Sequence, residues 1–162
     1  MESYGKKQLD MADNNSATSG IVARMRADLN DAVRQRDQVR MDTIRMALDG
    51  FTQEEVARNR AALTEQDRIA ILDKQVKQRL ESADIFKNAG RAELYEKETR
   101  QADILKSYMP ARLTEDDVRS LVANLIAEHG KDFRTVMPLA SKATRGLADG
   151  KRVSEIVREM TA

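Results

Sequence analysis

Apolar residues recur at helical spacing from Ile21 onward. Ile21, Met25, Leu29 and Val33 return every four positions, and Met41, Ile44, Leu48 and Phe51 follow at steps of three, four and three. Each set predicts an amphipathic helix with the named side chains on its buried stripe. Thr64-Glu65-Gln66-Asp67 then has the form of a capping box, with the short Asp67 carboxylate placed to complement a helix N-terminus. The third helix that starts there carries Ile69, Leu72, Val76, Leu80 and Ala83 inward. Asn88-Ala89-Gly90 predicts its stop, because Gly90 can take the left-handed conformation without a Cβ penalty. A fourth helix follows with Leu94, Leu105 and Tyr108 on its buried side, so the third and fourth helices form a long hairpin.

Met109-Pro110 ends that helix, since proline lacks the N–H donor and restricts the residue before it. Directly after it, Leu113-Thr114-Glu115-Asp116-Asp117-Val118 gives a second capping box, with Leu113 and Val118 placed as a hydrophobic staple. Three short helices are expected over 115 to 128, 135 to 145 and 150 to 160, with Pro138 in the first turn of the middle one. Such short helices are marginal alone, so they must pack as a bundle. The expected organisation is a flexible tail over 1–20, with Met11 an alternative start, an N-terminal helical domain over 21–109 and a three-helix domain over 110–162.

Composition supports an all-α protein. Aromatics make up only 4% of the 162 residues and tryptophan is absent, while Ala, Leu, Ile, Val and Met carry the apolar content. Without cysteine there is no disulfide framework, no thiolate nucleophile and no thiolate zinc site. With a single histidine, His129, no metal pair can be assembled within one chain, so neither metal nor cofactor is expected. His129 sits in Glu128-His129-Gly130 at a predicted helix end, where a cation complements the exposed carbonyls. No window has the apolar length of a membrane span. Glu2, Asp10 and Asp13 are acids that an organelle transit peptide tends to avoid, and together these features give the expectation of a cytoplasmic location.

The net charge of +1 is unevenly spread. From Lys131 to Ala162 seven basic residues face four acidic ones, a local excess of +3 that fits either a solvated helix face or a surface for an anionic partner.

Two blocks carry a family resemblance. The first is Lys77-Gln78-Arg79-Leu80-Glu81-Ser82-Ala83 with Phe86, Ala89, Arg91, Glu93-Leu94, Lys97-Glu98, Leu105 and Tyr108-Met109-Pro110; the second is Gly146-Leu147-Ala148-Asp149-Gly150-Lys151 with Val153. In this order they resemble the GatB/YqeY family, and the resemblance covers about residues 21 to 162. It implies a helical domain followed by a small tail domain shared with the B and E subunits of tRNA-dependent amidotransferases, where the tail contacts the tRNA body. It also implies tRNA or another structured RNA as partner, and a formal association with carbon–nitrogen ligase activity that uses glutamine as amido donor. Where many members carry a glycine between the positions of Asp132 and Val136, this chain has Phe133-Arg134-Thr135.

No residues for the amidotransferase reaction itself are evident. There is no Gly-rich serine segment of the amidase type and no phosphate-binding Gly-rich Lys-Ser/Thr loop, and the one Ser-x-x-Lys match, Ser3 to Lys6, falls in the predicted tail. Glu54-Glu55 and Asp116-Asp117 are adjacent carboxylates, which on a helix point about 100° apart and do not converge. The chain is therefore expected to be non-catalytic alone, with no small-molecule substrate evident. The motif residues Lys77, Gln78, Arg79, Arg91, Glu93 and Lys97 are read either as hairpin structure, with Arg79 reaching Glu93, or as a surface for RNA or protein. Asp149 is placed to cap the last helix, while the amides of Gly150, Lys151 and Arg152 suit a phosphate at its positive end. The candidate RNA contacts are Arg134, Lys142, Arg145, Gly150, Lys151 and Arg152. The competing expectation is a protein-interaction adaptor that does not depend on RNA.

Overall fold

The structure, a computed structural model, describes residues 20–162. The expected tail before Gly20, the Ser3 to Lys6 match and Met11 lie outside the described residues. Among those described, all regular structure is helical: α1 (Ile21–Gln35), α2 (Gln38–Ala57), α3 (Glu65–Asn88), α4 (Ala92–Lys106), α5 (Glu115–His129), α6 (Phe133–Thr144) and α7 (Gly150–Thr161). The chain divides into two compact units, one up to Pro110 and the other Ala111–Ala162.

In the first unit α1 and α2 are separated by a sharp break. Arg36 takes a left-handed conformation with φ 55, the Asp37 amide donates back to the Ala32 carbonyl at 2.9 Å, and the Asp37 carboxylate accepts from the Arg40 amide at 3.1 Å. The capping box predicted at Thr64 and Asp67 closes α3 in both directions. At the far end Gly90 has φ 70 and the Arg91 amide donates to Phe86 O at 2.9 Å, so a residue with a Cβ would be strained where the hairpin reverses. α3 and α4 pack along each other as the expected hairpin.

The core of this unit is Ile21, Met25 and Ala32 from α1, Ile44, Ala47 and Phe51 from α2, and Leu72, Val76, Ala83, Ala102 and Leu105 from the hairpin. Each large side chain among them contributes about 1.5–3 kcal/mol by leaving water. Two expected core positions are corrected. Val33 is 48% exposed and Leu80 36% exposed. Four-residue steps advance about 400° around a helix, so the every-fourth stripe of α1 drifts about 40° per step and carries Val33 away from the core. Ala32 takes the inward place of Val33 on α1, while on α3 Ala83 is buried as expected.

The second unit is a three-helix bundle around Val118, Leu121, Val122, Val136, Ala140, Val153, Ile156 and Val157. Thr114 and Asp117 form the second predicted capping box. Pro138 is not in the first turn of α6, as expected, but inside the helix. The reason is that Asp132 caps α6, accepting from both the amide and the hydroxyl of Thr135 at 2.9 and 2.8 Å, so the helix starts earlier than the apolar pattern implied.

Candidate functional site

The basic candidates lie on α6, at its C-cap Arg145 and at the start of α7. Val136, Ala140 and Thr144 form the buried face of α6. At about 100° per residue, Arg134 and Arg145 project within about 20° of each other, Lys142 lies about 80° from Arg134, and Val136 points about 160° away from it. Arg134, Lys142 and Arg145 are accordingly exposed, one basic stripe on the outer face. Phe133, in the glycine-departure segment, is half-buried, and the Arg158 guanidinium lies 5.7 Å from its ring centre. The ring is therefore packed against a cation of its own chain.

At α7 the two expectations separate. Asp149 caps the helix, its Oδ1 accepting from the Lys151 amide at 3.1 Å, so a carboxylate already occupies one of the amides that a phosphate would meet. Gly150 and Lys151 are exposed. Arg152 is engaged by carboxylates: Nη2 and Nε donate to Glu115 at 2.6 and 3.1 Å, and Nη1 donates to Glu155 at 3.0 Å. Arg119 completes a lattice, donating to Glu115 at 3.0 Å and to Glu159 at 2.8 Å, and ties the first turn of α5 to α7. These acids were not singled out in the sequence, although Glu115 and Arg119 stand at i,i+4 and Arg152 and Glu155 at i,i+3.

The Arg152 and Arg119 guanidiniums hold the Glu115 carboxyl below the usual carboxylate range. A depressed folded-state value contributes stability that is present above the unfolded value, near 4, and is lost as pH falls through the folded one. Wild type should therefore melt higher than Glu115→Gln at pH 7, with the difference shrinking toward pH 3. Melting curves with a pH-independent difference would contradict the role given to this lattice.

In the first unit, Lys77 pairs with the buried Asp73 at 3.0 Å within α3. Arg79 does not reach Glu93. Its Nη1 donates to Glu98 at 3.3 Å, and its Nη2 lies 3.7 Å from Met46 Sδ. The hairpin register explains this correction: the turn at Gly90 sets position 79 opposite 98, while Glu93 lies five residues, about 7.5 Å, closer to the turn. Glu93 instead stands exposed in the first turn of α4, where an acid complements the helix dipole. Gln78, Arg91 and Lys97 are exposed. His129 ends α5, with Nε2 3.6 Å from the Glu128 carboxylate. Glu54 pairs with Arg58 at 2.8 Å. Among the described residues no three His, Asp or Glu side chains are grouped to hold a metal ion, and no helix is long and apolar enough to cross a membrane.

The family model for Yqey-like protein matches residues 22–161. Among curated proteins, the chain is 29% identical over 146 residues to "Altered inheritance of mitochondria protein 41, mitochondrial" of Pyrenophora tritici-repentis, covering 86% of this chain and 80% of that protein. Proteins with the same printed name in Lachancea thermotolerans and Clavispora lusitaniae are 29% and 30% identical over 109 and 93 residues. Those matches cover 66% and 57% of this chain, which spans only 58% and 54% of the two relatives. These names overturn the expected cytoplasmic location, since all three relatives are called mitochondrial. That expectation rested in part on Glu2, Asp10 and Asp13, three acids in a segment outside both the family match and the described residues.

Proposed function

The chain belongs to the Yqey-like protein family, and on that premise we propose that it is an accessory RNA-binding protein with no catalytic centre of its own. The three-helix unit would contact the phosphates of tRNA or another structured RNA. The observation that carries this reading is the exposed stripe of Arg134, Lys142 and Arg145 on α6, directed away from the buried Val136, Ala140 and Thr144. Lys151, exposed at the start of α7, is a further cation of the same unit. Arg152 leaves the contact set and becomes a positioning residue, because its donors already meet Glu115 and Glu155. Cations spaced along one helix face suit a backbone of regularly spaced charges, a contact that positions RNA without reading its sequence. In this reading the family's association with carbon–nitrogen ligase chemistry is that of a tRNA-holding module beside the reaction.

The adaptor alternative draws on apolar side chains left in water in the first unit, chiefly Ile85 at 66% and Val56 at 61% exposure. Filter retention of tRNA at several salt concentrations decides between the two. If the stripe neutralises three phosphates, Arg134→Ala/Lys142→Ala/Arg145→Ala should flatten the log–log salt dependence by roughly 2 to 3. Arg152→Ala should leave that slope unchanged while lowering the melting temperature. Equal slopes for wild type and the triple variant would hand the function to the adaptor reading.

A further inference from the structure

A cleft of about 380 Å³ opens in the first unit between α2 and the hairpin. Its volume is within the range of small-molecule sites. Its floor is Gln101, only 4% exposed, whose Oε1 is buried with no hydrogen-bond partner. A buried amide oxygen without a donor costs about 1–3 kcal/mol, and such a group calls for an explanation. Beside it stands Arg79, the motif arginine that the RNA reading leaves unused. One of its nitrogens meets Glu98 at 3.3 Å, while Nη2 faces only the Met46 sulfur, a weak acceptor. Arg45 and Lys97 add two cations to the lining. Of the acids there, Glu98 is engaged with Arg79, and Asp42 accepts from Gln38 at 2.8 Å. Asp49 remains as a further acceptor in the lining.

The side chain that carries the donorless, solvent-shielded acceptor and a guanidinium lacking a full acceptor thus line the same cleft. We infer that it binds a small carboxylate that also carries an N–H or O–H donor, an amino or hydroxy acid. The carboxylate meets Arg79 with Lys97 or Arg45, and the donor meets Gln101 Oε1 once the Gln101 side chain turns its buried amide toward the cleft. This assigns a ligand role to Arg79 and Lys97 within the motif. It is independent of the RNA reading, which concerns the other unit, so either can fail alone.

The test is a titration of the full chain followed by NMR, reading backbone amides of α2 and α4 and the Gln101 side-chain amide. L-malate and L-aspartate supply carboxylate and donor, succinate the carboxylates alone, and inorganic phosphate an anion without the carboxylate plane. Taken to about 20 mM, against the roughly millimolar affinity expected of so small a ligand, malate or aspartate should saturate at least tenfold tighter than succinate or phosphate. In Gln101→Leu, which keeps the volume and removes the orphan oxygen, that preference should vanish while the fold persists. The wild-type series is decisive even if the variant does not fold. No saturable shift with any probe, or equal binding of malate and succinate, would overturn the inference.

Discussion

Replacing Tyr108 by alanine is expected to destabilise the first unit by about 3–5 kcal/mol, the range for deleting a buried aromatic side chain. The ring is 4% exposed. Its hydroxyl donates to Asp28 Oδ2 at 2.6 Å, and Asp28 in turn pairs with Arg40 at 3.4 Å. Arg24 holds the other side, its guanidinium 5.6 Å from the ring centre and its Nη2 donating to the Tyr108 carbonyl at 3.0 Å. One residue just past α4 is thereby joined to both α1 and α2. Burial, with the Asp28 carboxylate next, pushes the phenol well above its ordinary value, so it stays a neutral donor. Tyr108→Phe keeps the ring and should cost less, about 1.5–3 kcal/mol for one hydrogen bond to a charged group. Urea unfolding of the two variants beside wild type separates the contributions. A Phe variant as stable as wild type would show that the Asp28 contact is not what fixes the end of α4.

Tyr108 also shows what the sequence made legible. Its burial was expected, although as part of the fourth helix, which stops at Lys106 short of the expected end at Met109-Pro110, and neither the helical period nor that proline named Asp28 or Arg24, some eighty residues earlier. Local signals fared similarly elsewhere. Both capping boxes, the Gly90 turn and the Asp149 cap form where the sequence placed them, because each depends on residues within a few positions of one another. Failures came where geometry accumulates along a helix. Val33 drifted out of a stripe drawn at strict four-residue steps, and Arg79 found Glu98 because the hairpin register, not nearness to the turn, selects a partner.

The basic candidates divided for a related reason. Arg134, Lys142 and Arg145 could be assigned to the outer face of α6 from spacing alone, since Val136 and Ala140 define the inner one. Whether Arg152 points at a phosphate or at a carboxylate depends on the packing of α7 against α5, which brings Glu115 within hydrogen-bond distance from 37 positions away. A +3 excess counts charges without saying which are already neutralised. The cleft was less legible still. Gln101 falls outside the family motif as quoted, and its unpaired oxygen exists only once three helices surround it.

Ile156→Ala should unfold much of the second unit while leaving the first folded. Ile156 is fully buried at the centre of the three-helix bundle, and truncating such a side chain costs about 2–5 kcal/mol. The unit runs from Ala111 to Ala162, 52 residues, and at about 0.05–0.15 kcal/mol per residue its total stability is only about 3–8 kcal/mol. A core this small has no reserve: no disulfide supplements it, and the exposed Glu115–Arg152–Arg119 lattice cannot replace a lost core contact. In heteronuclear NMR the signals of α5, α6 and α7 should collapse toward random-coil positions while those of α1 to α4 keep their dispersion. On the proposed function, tRNA retention should fall with them, since Arg134, Lys142 and Arg145 form one face only while α6 is helical. Loss of both sets of signals together would show that the two units do not unfold separately, and retention of RNA by the collapsed variant would move the binding surface off α6.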